Sequence, residues 1–77
     1  MDDMVGAVRR VWGDVLRLED VPLEENFFDA GGDSRALVVL YERLSALTDR
    51  PLEAADLFEH STVAAQARLL TDGGPAA

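Results

Sequence analysis

The sequence predicts an all-α fold, a small four-helix bundle of three main helices and one short helix with a long first loop. Apolar residues recur at three- and four-residue spacing in three separate stretches. No stretch alternates with period two for long enough to make a strand. A chain of 77 residues is too short to divide its apolar side chains between two cores. The folded unit is expected to span residues 1–71, with 72–77 as a flexible C-terminal tail.

The first helix is expected from Asp2 to Leu18. Met4, Val8, Val11, Trp12, Val15 and Leu16 share one face, and Arg9, Arg10, Asp14 and Arg17 the other. Asp2 and Asp3 suit the positive end of its dipole, while Gly6 and Gly13 weaken it by up to ~1 kcal/mol each. Residues 19–33 read as a loop with Pro22, Gly31 and Gly32 and no basic residue. Its apolar members, Val21, Leu23, Phe27 and Phe28, are expected to pack onto the core. Long loops in compact domains are often functional.

A second helix is expected from Ser34 to Thr48, burying Leu37, Leu40, Leu44 and Leu47 with Tyr41 at the edge. Pro51 breaks the chain, and a short helix over 52–58 is expected to turn Leu57 and Phe58 inward. His60-Ser61-Thr62 reads as a helix start with a hydroxyl cap. The last helix, Thr62 to about Leu70, buries Val63, Ala67 and Leu70. Trp12 and Tyr41, spaced among aliphatic residues, belong to the core rather than to a ligand platform.

Composition excludes several functions. Fifteen acidic against seven basic residues give a net charge of −8, which repels phosphate backbones and argues against nucleic acid as a partner. All seven basic residues are Arg. With no Cys and one His, neither a disulfide framework nor a zinc site is expected, and no EF-hand spacing is present. No apolar run approaches the ~20 residues of a membrane span. The acidic start, Met1-Asp2-Asp3, is unlike a secretory signal. The chain is therefore expected to be soluble, cytoplasmic and monomeric.

One segment carries chemical promise: Glu25-Asn26-Phe27-Phe28-Asp29-Ala30-Gly31-Gly32-Asp33-Ser34. Two Phe residues anchor it, and two glycines allow a tight turn or a close approach. Asp33-Ser34 then opens a helix. The ordinary role of such a pair is capping. A serine there also exposes its hydroxyl beside free N–H groups, where an attached phosphodiester sits in a favourable field. Asp33 opposes a bare anion site but suits orientation of a metal-bound phosphate donor.

From Phe27 to Leu44 the sequence resembles the phosphopantetheine attachment region of the carrier-protein family. Asp56-Leu57-Phe58-Glu59-His60-Ser61-Thr62-Val63 looks like that family's junction between third and fourth helices, so the likeness runs from about Val5 to Leu70. In the family, the serine after Gly-Gly-Asp or Gly-Gly-His is modified by a phosphopantetheinyl transferase with coenzyme A as donor. By position that residue is Ser34, with Gly32 and Asp33 completing the cofactor-binding motif. The resemblance implies a covalent 4′-phosphopantetheine arm holding an aminoacyl, peptidyl or acyl group as a thioester, for nonribosomal peptide or polyketide synthesis. The implied partners are the transferase, an adenylating or acyl-loading enzyme, and condensing or tailoring enzymes. The double glycine and Asn-Phe-Phe-Asp look more like peptidyl carriers, although some polyketide carriers share the form. The alternative is an acyl carrier of a polyketide or fatty-acid-like pathway, where fatty-acid-type carriers more often show a single Gly, another residue, then Asp-Ser. Where the family usually places Leu or Ile after the serine, this chain has Arg35.

On the second helix, Arg35, Val38, Val39 and Glu42 are expected to face outward beside Ser34 and to form a docking surface. Scattered surface valines are otherwise ordinary. Two further readings remain at this point. One is an unmodified helical interaction module. The other is a minimal hydrolase built on Ser34, His60 and a carboxylate, which needs a pocket and an oxyanion hole that the sequence does not supply. The chain begins shortly before its first helix and ends soon after its last, which suits a free-standing carrier or an excised domain equally.

Overall fold

The computed structural model describes residues 3–49 and 51–72. They form four helices, α1 (Asp3–Leu16), α2 (Ser34–Ser45), α3 (Ala54–Glu59) and α4 (Val63–Asp72), and no strand among the described residues. Helix α1 packs against both α4 and α2, and α2 against α3. The expected contribution of Asp2 to the first helix lies outside the described residues. So does the tail after Asp72, although α4 itself extends one residue into the stretch expected as tail.

The core gathers Val8, Val11 and Trp12 from α1, Leu37, Leu40 and Leu44 from α2, Leu57 from α3, and Val63, Ala67 and Leu70 from α4. Its polar member is Gln66, fully buried on α4. The Trp12 indole Nε1–H donates to Gln66 Oε1 at 2.8 Å, so the polar edge of the indole is satisfied inside the bundle. Gln66 Nε2 has no partner among the described residues.

Helix ends on α1, α2 and α3 also differ from expectation. Helix α1 stops at Leu16 because Arg17 takes a left-handed conformation (φ 59°) and the Leu18 N–H folds back onto the Gly13 carbonyl at 3.0 Å. Helix α2 ends at Ser45, and Ala46 and Leu47 close it with tighter bonds to Arg43 and Leu44. The buried stripe therefore stops at Leu44, and Leu47 is exposed. Helix α3 begins after Glu53, whose N–H donates to Asp56 Oδ2 at 3.1 Å. In that register Leu57 points into the core and the adjacent Phe58, about 100° further round, is exposed rather than buried. Helix α4 starts where expected, with Thr62 Oγ1 accepting from the Ala65 N–H at 3.1 Å.

The loop over 17–33 is tied to the start of α4. The Phe27 N–H donates to the Ser61 carbonyl (2.7 Å) and the Ala64 N–H to the Leu23 carbonyl (3.1 Å). Asn26 bridges the same junction. Its Nδ2 donates to Ser61 Oγ at 2.7 Å, and its Oδ1 accepts from the Phe28 N–H at 2.8 Å. Of the four apolar loop residues, Val21 and Phe27 are buried, while Leu23 and Phe28 remain exposed. Phe27 lies edge-on to Trp12, with ring centroids 5.0 Å apart.

A single turn after Asn26 aims the chain at α2. The Ala30 N–H bonds the Asn26 carbonyl (2.9 Å) and the Gly32 N–H the Phe27 carbonyl (3.0 Å). Gly31 ends that turn at φ 114°, a conformation open mainly to glycine. Gly32 is glycine for another reason. A Cβ there would collide with Cε2 of the Phe27 ring and lie 2.7 Å from its Cζ, so the buried ring occupies the space of a side chain. The close approach is made by the chain to itself.

Two stability outcomes follow. Gly32→Ala is expected to cost about 1–3 kcal/mol in urea unfolding, because the overpacked ring must move. Trp12→Phe and Gln66→Met each leave a buried polar partner unmatched and should each cost about 1–3 kcal/mol. The double variant removes both halves of the bond and should cost less than the sum. Additive losses would show that the bond contributes nothing to the core.

Candidate attachment site and its apolar groove

Asp33 is the N-cap of α2. Its backbone is extended (φ −134°, ψ −174°), its Oδ1 accepts from the Ala36 N–H at 2.9 Å, and its carbonyl accepts from the Leu37 N–H at 2.9 Å. The capping role that an Asp-Ser pair ordinarily plays thus falls to Asp33 alone. Ser34 becomes the first residue of the helix, exposed, with its hydroxyl in no hydrogen bond among the described residues. The capping carboxylate satisfies one of the helix's unpaired N–H groups, and the N–H groups of Ser34 and Arg35 make no hydrogen bond among the described residues and lie at the positive end of the dipole.

The chain has three serines, and their surroundings separate them. Ser45 Oγ is buried without a partner among the described residues. Ser61 Oγ accepts from Asn26 at the loop–α4 junction. Ser34 alone combines exposure with an unengaged oxygen. An exposed, unengaged hydroxyl is what a phosphate-linked arm requires, so the position fits one.

Beside Ser34, α2 and α3 form the walls of a groove of about 200 Å³, lined by Ser34, Leu37, Val38, Tyr41, Ala54 and Phe58. Tyr41 fastens the two walls, its hydroxyl donating to the Leu52 carbonyl at 2.6 Å. Phe58 stacks on Phe28 (5.7 Å between centroids, planes 17° apart), which joins the loop to the groove's rim. Val38 is 57% and Phe58 56% exposed, more than any other large apolar side chain described. A larger concavity of about 410 Å³ lies along α1, lined by Arg9, Arg10 and Asp14 among others, and contains none of the candidate residues.

The structure divides the expected docking residues. Val38 shares the groove with Ser34. Arg35, Val39 and Glu42 are exposed as expected, but they follow the next stripe of α2 and line no part of the groove. Asp33 caps, and Gly32 accommodates Phe27. Sequence reasoning missed Phe28 and Phe58 as surface residues. The register of α3 relative to Glu53 and Asp56 was the signal for Phe58. His60 ends α3, its N–H bonded to the Asp56 carbonyl at 2.9 Å, and it does not line the groove. Ser34 and His60, the pair required for a hydrolase, thus do not share the groove. Among the described residues no cluster of three or more His, Cys, Asp or Glu is placed to hold a metal, and no helix is long and apolar enough to cross a membrane.

Comparison with known proteins agrees with this geometry. The family described as "Phosphopantetheine attachment site" matches residues 6–70. The chain is 40% identical over 65 residues to polyketide synthase PksN of Bacillus subtilis, covering 84% of this chain and 1% of that protein. It is 40% identical over 80 residues to AM-toxin synthetase AMT1 of Alternaria alternata, covering 96% of this chain and 2% of that protein. A solved structure of McyG A-PCP complexed with phenylalanyl-adenylate superimposes with a TM-score of 0.86 at 38% identity, over 91% of this chain and 11% of that one. The chain thus spans a small part of each of these relatives. Matched over most of its length in sequence and in fold, it belongs to the phosphopantetheine attachment family and is a helical carrier domain of the kind found in peptide and polyketide synthetases.

Proposed function

We propose that this chain is a non-catalytic carrier whose Ser34 is esterified by 4′-phosphopantetheine and whose arm presents an aminoacyl or peptidyl group to successive enzymes. The observation that supports this most strongly is the exposed, unbonded Ser34 hydroxyl in the first turn of α2, directly after Gly-Gly-Asp. In the attachment step Ser34 Oγ bonds to the phosphorus that bears pantetheine in coenzyme A. The pyrophosphate P–O bond breaks, 3′,5′-ADP leaves, and the hydroxyl proton passes to a base on the transferase. The cofactor, once bound, supplies a thiol that holds the cargo as a thioester. The protein supplies the rest: a capped helix end that fixes the serine, a rigid loop behind it, and an apolar rim on which enzymes dock. The gain is tethering, which raises the effective concentration of cargo at each active site.

The reading assigns loading to an adenylating enzyme, by analogy with the solved A-PCP relative. An acyl cargo of the polyketide type is the alternative, since a polyketide synthase is among the relatives. A chain without cysteine that depends on a coenzyme A donor suits the cytoplasm. Val38, with Arg35, Val39 and Glu42 on the neighbouring stripe, forms the docking surface, and Phe28 and Phe58 extend it across the groove.

Incubation with a promiscuous transferase, coenzyme A and magnesium is expected to add one arm by intact mass. Ser34→Ala should abolish the addition while leaving the unfolding midpoint nearly unchanged. An unmodified wild-type chain, under conditions that modify a control carrier, would instead favour an unmodified interaction module. For docking, Val38→Glu and Phe58→Glu are each expected to slow loading of the modified carrier by about 10-fold, roughly 1.4 kcal/mol of transition-state binding. Unchanged loading rates in both would remove the groove rim from the interface.

A further inference from the structure

Arg35 stands alone in its surroundings. Every other charged residue between Arg17 and Arg43 is acidic, in a chain of net charge −8. Arg9 is paired with Asp20 at 2.9 Å and Arg43 with Asp14 at 3.2 Å, whereas Arg35 is exposed and has neither an ion pair nor a hydrogen bond among the described residues. On its own helix the positions three and four residues on, where a carboxylate would meet it, are Val38 and Val39. Glu42 is seven residues away, about 10 Å along the axis. The carboxylate just before Ser34, on Asp33, is turned onto the Ala36 N–H. The guanidinium therefore has no acceptor within the described chain, yet it sits one residue from the proposed point of attachment.

We propose that Arg35 pairs with the phosphodiester joining the arm to Ser34 and so fixes the root of the arm against α2. This rests on the reading of Ser34 as the attachment residue. A phosphodiester carries a permanent negative charge, and on Ser34 Oγ it is introduced next to the Asp33 carboxylate in an acidic region. The guanidinium offsets that repulsion. Its planar set of N–H donors matches two non-bridging phosphate oxygens, a geometry that neither Leu nor Ile reproduces. The Arg side chain is long enough to reach back over the first turn to a group on the preceding residue. Arg35 is thus a positioning residue for the arm, acting on the modified form and idle in the unmodified one.

The test loads wild type, Arg35→Met and Arg35→Lys with the arm, and intact mass verifies each product. Thermal unfolding is then compared before and after attachment at low and at 1 M salt. At low salt, attachment should lower the Tm of Arg35→Met by about 2–5 °C relative to its effect on wild type, as expected for an exposed ion pair in a domain of this size. That difference should vanish at 1 M salt, where the Debye length is about 3 Å. Arg35→Lys, which keeps the charge but not the two-point fork, should fall between wild type and Arg35→Met. The Arg35 side-chain Nε–Hε resonance of the wild type should also shift on attachment, a readout independent of whether the variants load. Equal Tm changes in wild type and Arg35→Met, or an unmoved Nε–Hε resonance, would overturn the pairing and leave the carrier reading standing. A wild-type chain that accepts no arm would overturn both.

Discussion

The presentation of Ser34 depends on Phe27. This ring is fully buried, edge-on to Trp12, and it fills the space next to Gly32 that any other residue would claim for its own side chain. Burying an aromatic ring stabilises by about 1.5–3 kcal/mol, a large fraction of what a small domain has in total. That burial holds a loop that would otherwise fluctuate. From the ring outward the chain has little freedom: Asn26 grips Ser61, Gly31 reverses direction, and the Asp33 carboxylate accepts from the Ala36 N–H in the first turn of α2. Ser34 follows, held by its neighbours while its own hydroxyl is left unengaged.

This arrangement separates stability from function at the level of individual atoms. Asp33 supplies the cap, so the serine beside it is not needed for capping. Ser61 ties the loop to α4, so its oxygen is occupied. A tethering protein needs a rigid root and a mobile arm, because an imprecise root would weaken each docking event while a stiff arm would limit reach. The short bundle provides the first requirement. The groove between α2 and α3, with Val38 and Phe58 at its edge, places an exposed apolar surface next to the proposed point of attachment.

Much of this was legible in the sequence. The three- and four-residue spacing in residues 4–16, 37–44 and 63–70 located three helices, and Gly-Gly-Asp-Ser pointed to the candidate site. What was not legible depended on register and on tertiary contact. Leu47 fits the stripe of α2 by spacing, but the helix closes at Ser45 before reaching it. Phe58 follows Leu57, and only the start of α3 after Glu53 decides which of the two faces the core. Gln66 is polar in sequence and buried in fact, because the indole of Trp12, far away in the chain, needs an acceptor. Gly32 belonged visibly to the motif, yet its steric reason required knowing where the Phe27 ring lies.

The central claim is that this fold leaves one serine oxygen accessible for esterification and protects the other two. Proteolysis of the modified chain followed by fragmentation mass spectrometry tests it directly, because fragments covering Ser34, Ser45 and Ser61 are distinguishable. The account predicts the arm on the Ser34 fragment alone. An arm found on Ser45 or Ser61 would contradict it.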